Sequence, residues 1–214
     1  MAKKTLKKGI LITFEGPEGS GKSTQVRLLC SYLSQRRLKV LQLREPGGTK
    51  ISEEIRCILL DPKNKAMDTV CEMLLYQAAR AQLVRQKVLS ALKEKKVVVL
   101  DRFLDATVSY QGYAAGLDIN LIKRIGRLAT CSIQPDLTIL LDISAKQGLR
   151  RVGERDRIEK KPLSFHRRVR RGYLKLAKEN PRRIKVVLLA KEVAATQAII
   201  RKIVDRRLMN NNGV

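Results

Sequence analysis

Histidine occurs once in the 214 residues, at position 166, and the four cysteines (Cys30, Cys57, Cys71 and Cys131) are scattered with no C-x-x-C pair. These counts argue against a zinc site and against a disulfide framework, and they fit reduced thiols in a cytosol. Long apolar runs are missing too. No stretch approaches the ~20 residues of a membrane span, and Ile10–Phe14, behind the basic start MAKKTLKK, is too short for a signal peptide. The expectation is a soluble, cytoplasmic protein that is not exported. Acids are scarce: 20 Asp and Glu against 45 Lys and Arg give a net charge of +25. Such a balance predicts non-specific attraction to nucleic acid, nucleotides or an anionic membrane surface, and says nothing of fold. The imbalance concentrates in Lys146–Lys185, with sixteen Lys or Arg against four acids. Most of these read as solvated helix faces. Repeats and linkers are absent as well, so 1–214 reads as one domain.

What is present is ample apolar residue, 44% of the chain. Five short runs rich in Val, Ile and Leu stand out: Gly9–Phe14, Lys39–Leu43, Val97–Leu100, Leu137–Leu141 and Lys185–Leu189. Each is nearly continuous, as expected for strands covered on both faces. Helical stripes lie between them: Val26/Leu29/Cys30/Leu33, Ile51/Ile55/Ile58/Leu59, a long stretch over Thr69–Lys93, Leu121/Ile122/Ile125/Leu128/Ala129, Val169/Tyr173/Leu176/Ala177 and Ile199/Ile200/Ile203/Val204. Asn210–Asn212 reads as a frayed tail. Strands alternating with helices predict an α/β, five-stranded parallel sheet with helices on both faces.

The first run leads into Gly16-Pro17-Glu18-Gly19-Ser20-Gly21-Lys22-Ser23-Thr24, which fits G-x-x-x-x-G-K-[ST] between a strand and an amphipathic helix. Glycines there allow positive φ and close approach of a phosphate, and the loop N–H groups and helix N-terminus hold the anion. Lys22 is placed for β/γ-phosphates and Ser23 for Mg²⁺. Asp101, directly after the third run, occupies the usual position of a second carboxylate near that metal. Arg44, Arg80 and Arg102 are candidates for a second anion site. The chain has no N-K-x-D element, which argues against a GTPase. A kinase acting on a small phosphorylated acceptor also needs a mobile lid carrying arginine. Gly153–Glu159, within a lid at about 150–160, suits that role.

The loop Gly16–Thr24, "REPGGT" at Arg44–Thr49, "YQAAR" at Tyr76–Arg80, "DRF…SYQG" at Asp101–Gly112, "PDLTILLD" at Pro135–Asp142 and "DRIE" at Asp156–Glu159 resemble bacterial thymidylate kinases, collinearly over about Ile10–Leu208. The resemblance implies a P-loop nucleoside-monophosphate-kinase fold with a short lid, transfer from ATP with Mg²⁺ to dTMP, and a homodimer. It implies that Arg102 grips the dTMP phosphate and Glu18 approaches the 3′-hydroxyl. Tyr76 would stack on thymine, Arg80, Thr107 and Gln111 would contact the base, Pro46 would pack near the sugar, and Arg151 would lie towards ATP.

Two departures from the family pattern stand out. Gly19 occupies a position where some relatives carry arginine, so the arginine for the transferring group is expected from the lid. That segment, Val152–Arg155, is short, and Arg155 is chosen over Arg151. Phe103 follows "DR" where His or Tyr is common. Two other functions fit parts of the sequence: a basic P-loop ATPase that binds nucleic acid, and a broader pyrimidine monophosphate kinase.

Overall fold

The computed structural model describes residues 6–153 and 156–212. Five strands, β1 (Ile10–Glu15), β2 (Val40–Arg44), β3 (Val97–Asp101), β4 (Leu137–Asp142) and β5 (Ile184–Leu188), form one parallel sheet in the order β2-β3-β1-β4-β5. Each matches a predicted run to within one residue at either end. Central β1 and β4 are buried at every position, whereas edge strands β2 and β5 are partly exposed. β1 pairs with β3 on one side and β4 on the other, so the loop after β1 opens at the sheet's topological switch point, where ligands of such sheets bind.

The helices are α1 (Lys22–Gln35), α2 (Lys50–Leu60), α3 (Thr69–Leu83), α4 (Leu89–Lys93), α5 (Leu104–Thr107), α6 (Ile119–Ala129), α7 (Ala145–Arg150), α8 (Leu163–Glu179) and α9 (Val193–Asn212). Side chains satisfy several of their starts: Thr49 accepts from Ser52 N–H, Asp68 from Val70 and Cys71, Asp118 from Asn120, and Ser144 from Gln147. α3 runs through a π-helical turn (Val84–Val88) into α4, which accounts for the single long stretch read from the sequence. α9 continues through Asn212 where the sequence suggested fraying.

One core layer joins α1 and α9 to the sheet through Val26, Leu29, Leu33, Ile200 and Val204. A second sets α8 against a π-helix (Val108–Ala114), with Val169, Tyr173 and Leu176 meeting Val108 and Tyr110. The α6 stripe is only half core. Ile122 and Ala129 are buried, but Leu128 is 72% exposed.

Candidate active site

The loop after β1 takes the shape its glycines permit. Gly19 and Gly21 have φ of 67° and 79°. A Cβ on Gly19 would lie 2.0 Å from the carbonyl oxygen of Gly148, and one on Gly148 would lie 2.1 Å from that of Glu18. The loop is therefore braced against α7, and a side chain at position 19 has no room. Gly21 differs: nothing lies within 4 Å of a Cβ built there. α1 starts directly after it with no side-chain cap and no acid in its first turn, so no side chain of the helix start takes up its first N–H groups. That cradle fits an anion.

Lys22 is folded back into the loop. Its ammonium donates to the carbonyls of Gly16 (3.1 Å) and Pro17 (2.8 Å) and to Ser20 Oγ (3.2 Å). Burial, with the neighbouring Arg102 cation, pulls its pKa down to about 8. Ser23 Oγ donates to Asp101 Oδ2 at 2.6 Å. A hydroxyl and a carboxylate at the edge of the phosphate cradle are the oxygen donors that Mg²⁺ takes from protein when phosphates supply the rest.

Arg102 carries a left-handed backbone, φ 70°, uncommon for a residue with a side chain. It is held from both sides: its N–H donates to Phe14 O (2.9 Å), and the next N–H, of Phe103, donates to Glu15 Oε1 (2.7 Å). The guanidinium donates to Glu18 Oε1 (2.7 Å) and to the hydroxyls of Tyr110 (3.1 Å) and Tyr173 (3.2 Å). Burial raises the pKa of Glu18, but Arg102, Lys22 and the Tyr110 hydroxyl outweigh it and bring the carboxyl to about 2. Glu15 is buried outright; desolvation and Asp105 push it up to about 8.

The base-reading candidates come from three elements: Tyr76 and Arg80 from α3, Thr107 from α5 and Gln111 from the following π-helix. All four line one cleft of about 400 Å³ with Glu18, Gly21, Lys22, Ser23, Pro46, Asp101 and Arg102. Arg80 is largely committed within the protein. It donates to Glu45 Oε2, Gln77 Oε1, Phe103 O and Thr107 Oγ1, which leaves one Nη1 hydrogen for a ligand. Phe103 is 1% exposed beneath the Arg80 guanidinium, 5.6 Å from ring centroid to Cζ, and so requires no polar group of its own.

Gln111 Nε2 donates to Glu72 Oε1 at 2.7 Å. The same carboxylate receives Arg157 Nη1 (2.6 Å) and Lys161 Nζ (3.1 Å) from the segment before α8. Asp156 and Glu159 of "DRIE" line the cleft. Arg151 is exposed at the end of α7 and is not among the described lining residues. Arg155 lies outside the described residues.

Sequence reasoning missed Glu15, Glu72, Tyr110 and Tyr173, which hold the predicted residues in place, and Arg56, which lines the cleft and donates to Pro46 O (2.9 Å). Arg56 falls four residues after Ser52 and three before buried Leu59 on α2, so the helix register could have turned it towards "REPGGT".

Residues 14–200 match the family model described as Thymidylate kinase. The chain belongs to the thymidylate kinase family. The thymidylate kinase of Thermoanaerobacter pseudethanolicus is 50% identical over 178 residues, covering 82% of this chain and 87% of that one. That of Symbiobacterium thermophilum is 46% identical over 201 residues, covering 93% and 94%. The crystal structure of thymidylate kinase from Ehrlichia chaffeensis superposes with a TM-score of 0.76 at 33% identity, covering 92% of this chain and 98% of that one. Family membership makes the chain a phosphotransferase with a P-loop nucleoside-monophosphate-kinase fold. Among the described residues no helix is long and apolar enough to cross a membrane.

Proposed function

We propose that Lys22, Arg102 and a lid arginine stabilise the phosphoryl group that this thymidylate kinase transfers from ATP to dTMP, giving ADP and dTDP. The observation that carries the reading is one continuous cleft. Its donor end is the open cradle of Gly21, Lys22 and Ser23, and its acceptor end is Arg102 backed by Tyr76, Arg80 and Gln111. An acceptor phosphate with a second pKa of about 6 is already ionised near neutral pH, so no general base is needed. The protein's task is positioning and charge.

The N–H groups of Gly19 to Ser23 receive the ATP phosphates. Lys22 then exchanges the loop carbonyls for β/γ-oxygens. Ser23 and Asp101 would hold Mg²⁺, which when bound would supply positive charge to the donor phosphates. Arg102 turns its fork to the dTMP phosphate. Both bonds to Glu18 fall on Oε1, which leaves Oε2 to accept from the sugar 3′-hydroxyl. Tyr76 stacks on thymine, and Pro46 packs near the sugar. The lid closes from about 150–160 and brings Arg155 to the equatorial oxygens, with Arg151 on the ATP side.

Two finer readings go with this. The groove between α3 and α6, lined by Leu74, Ala78, Ala81, Ile125 and Leu128, is covered by a second copy of the chain. The support is the 48% and 72% exposure of Leu74 and Leu128, which water leaves uncompensated. All four cysteines are free, which suits a reducing cytoplasm.

The test is ADP release with dTMP, dUMP, dCMP or single-stranded DNA added in turn. The reading expects turnover with dTMP, a lower rate with dUMP, and none driven by DNA. Lys22→Ala should fold and lose turnover; a near-normal rate in that variant would remove the P-loop from the mechanism.

A further inference from the structure

Helix α8 buries one face and leaves the other bare of acid. His166, Val169, Tyr173, Leu176 and Ala177 point into the core. On the opposite side Arg167, Arg171, Lys175 and Lys178 follow one another at steps of four, four and three, and Arg182 extends the line past the helix end; all five are exposed. At ~1.5 Å per residue the four helical cations span about 16 Å. The one acid of α8, Glu179, is engaged by the Tyr113 hydroxyl. Among the described residues no carboxylate pairs with Arg167, Arg171, Lys178 or Arg182, while Lys175 sits over the Tyr113 ring at 5.2 Å. Neighbouring cations are treated differently: Arg170 pairs with Asp142 and Arg183 with Asp105. Like charges three and four residues apart weaken a helix, and among the described residues no acid offsets that repulsion at Arg167, Arg171, Lys178 or Arg182.

We propose that this stripe is a docking surface for the phosphodiester backbone of a nucleic-acid duplex. A line of cations at helical spacing answers a line of phosphates, and arginine, three of the five, binds phosphate through a planar fork. The same face argues against a membrane. Its leucines, Leu163 and Leu174, are half-buried, and a helix lying in a bilayer surface needs exposed apolar residues beside its cations. It offers no exposed aromatic platform, which single-strand binders use for unstacked bases. With no side chain placed to read bases, recognition is independent of sequence. The stripe faces away from Tyr173, whose hydroxyl reaches Arg102, so a duplex docks without entering the cleft.

The full chain is titrated into a fluorescein-labelled DNA duplex and anisotropy is followed over a salt series. Arg167→Glu/Arg171→Glu/Lys178→Glu is compared with Lys65→Glu/Lys191→Glu/Lys202→Glu, a charge-matched change at exposed cations elsewhere. Each phosphate contact contributes about 0.9 to the slope of log K against log salt, so five contacts should give the wild type about −4.5. The α8 variant should lose more than tenfold in affinity and flatten the slope by about 2 to 3. The control should stay within threefold of wild type, and both should keep normal kcat and KM for dTMP. Equal weakening in the two variants would reduce the effect to net charge. Tighter binding to a single strand of the same sequence, or to phosphatidylserine-containing vesicles, would give the surface to another partner. A wild type without salt-dependent duplex binding ends the proposal.

Discussion

The Tyr173 hydroxyl accepts from Arg102 Nη1 at 3.2 Å and donates to Glu15 Oε2 at 2.8 Å. Glu15 thus fixes Arg102 twice, once through the Phe103 N–H and once through this phenol. Tyr173→Phe keeps the ring and removes the link. KM for dTMP should rise about five- to tenfold with KM for ATP unchanged, and the unpaired buried oxygen should cost about 1–3 kcal/mol of stability. Steady-state kinetics beside thermal melts separate the two effects. A fall in melting temperature with no change in KM for dTMP would make Tyr173 a packing residue only.

Acid should weaken the fold through Glu18. Its folded pKa, about 2, lies below the unfolded value near 4.5, so its contribution is present above pH 4.5 and is lost as pH falls through 2. A shift of that size corresponds to about 3 kcal/mol. Glu18→Gln should therefore melt well below wild type at pH 6, and the two should converge near pH 2 to 3. A gap that stays constant across that range would mean the carboxylate is not what Arg102 stabilises.

The proposed lid role predicts that Arg155 and Arg151 act on different constants. Arg155→Ala should lower kcat by several powers of ten and change KM for dTMP little, because the contact forms mainly in the transition state. Arg151→Ala should mainly raise KM for ATP. Kinetics on both folded variants decide the matter. A collapse of kcat in the Arg151 variant alone would exchange the roles, and normal kcat in both would leave the charge to Lys22, Arg102 and the metal.

Gln111 spends Nε2 on Glu72, which leaves its carbonyl oxygen to accept a proton from the base. Thymine offers an N3–H there, and cytosine offers only a lone pair. Gln111→Leu should lower kcat/KM for dTMP by about ten- to a hundredfold and change dCMP little, since a site built to hydrogen-bond its substrate discriminates through unpaired groups. The ratio of kcat/KM for the two nucleotides is the measurement. An unchanged ratio would assign selectivity to Arg80 or Tyr76.

The sheet was legible because burial on both faces forces continuous runs of branched residues, and the first loop because its glycines do what other residues cannot. The segment Leu104–Ala114 was not read as helical: Thr107, Val108, Ser109 and Gly112 are weak helix formers, and the packing of α8 holds it. The short α7 was missed because six residues carry too little periodicity. The candidate ligand residues were picked out through motifs, but the residues that support them were not. Glu15 reads as the polar end of a strand and Tyr173 as core, and nothing local tells that two residues 158 positions apart share a proton.

The contact between Gly19 and Gly148 also bears on how such a chain can change. Both positions already carry the smallest residue, so a side chain gained at one cannot be accommodated by shrinking the other. An arginine could enter this loop only after the backbone of α7 had moved away. For this chain, then, a cation for the transferring group is reached more readily by changing a segment beside the cleft than by a single substitution in the loop.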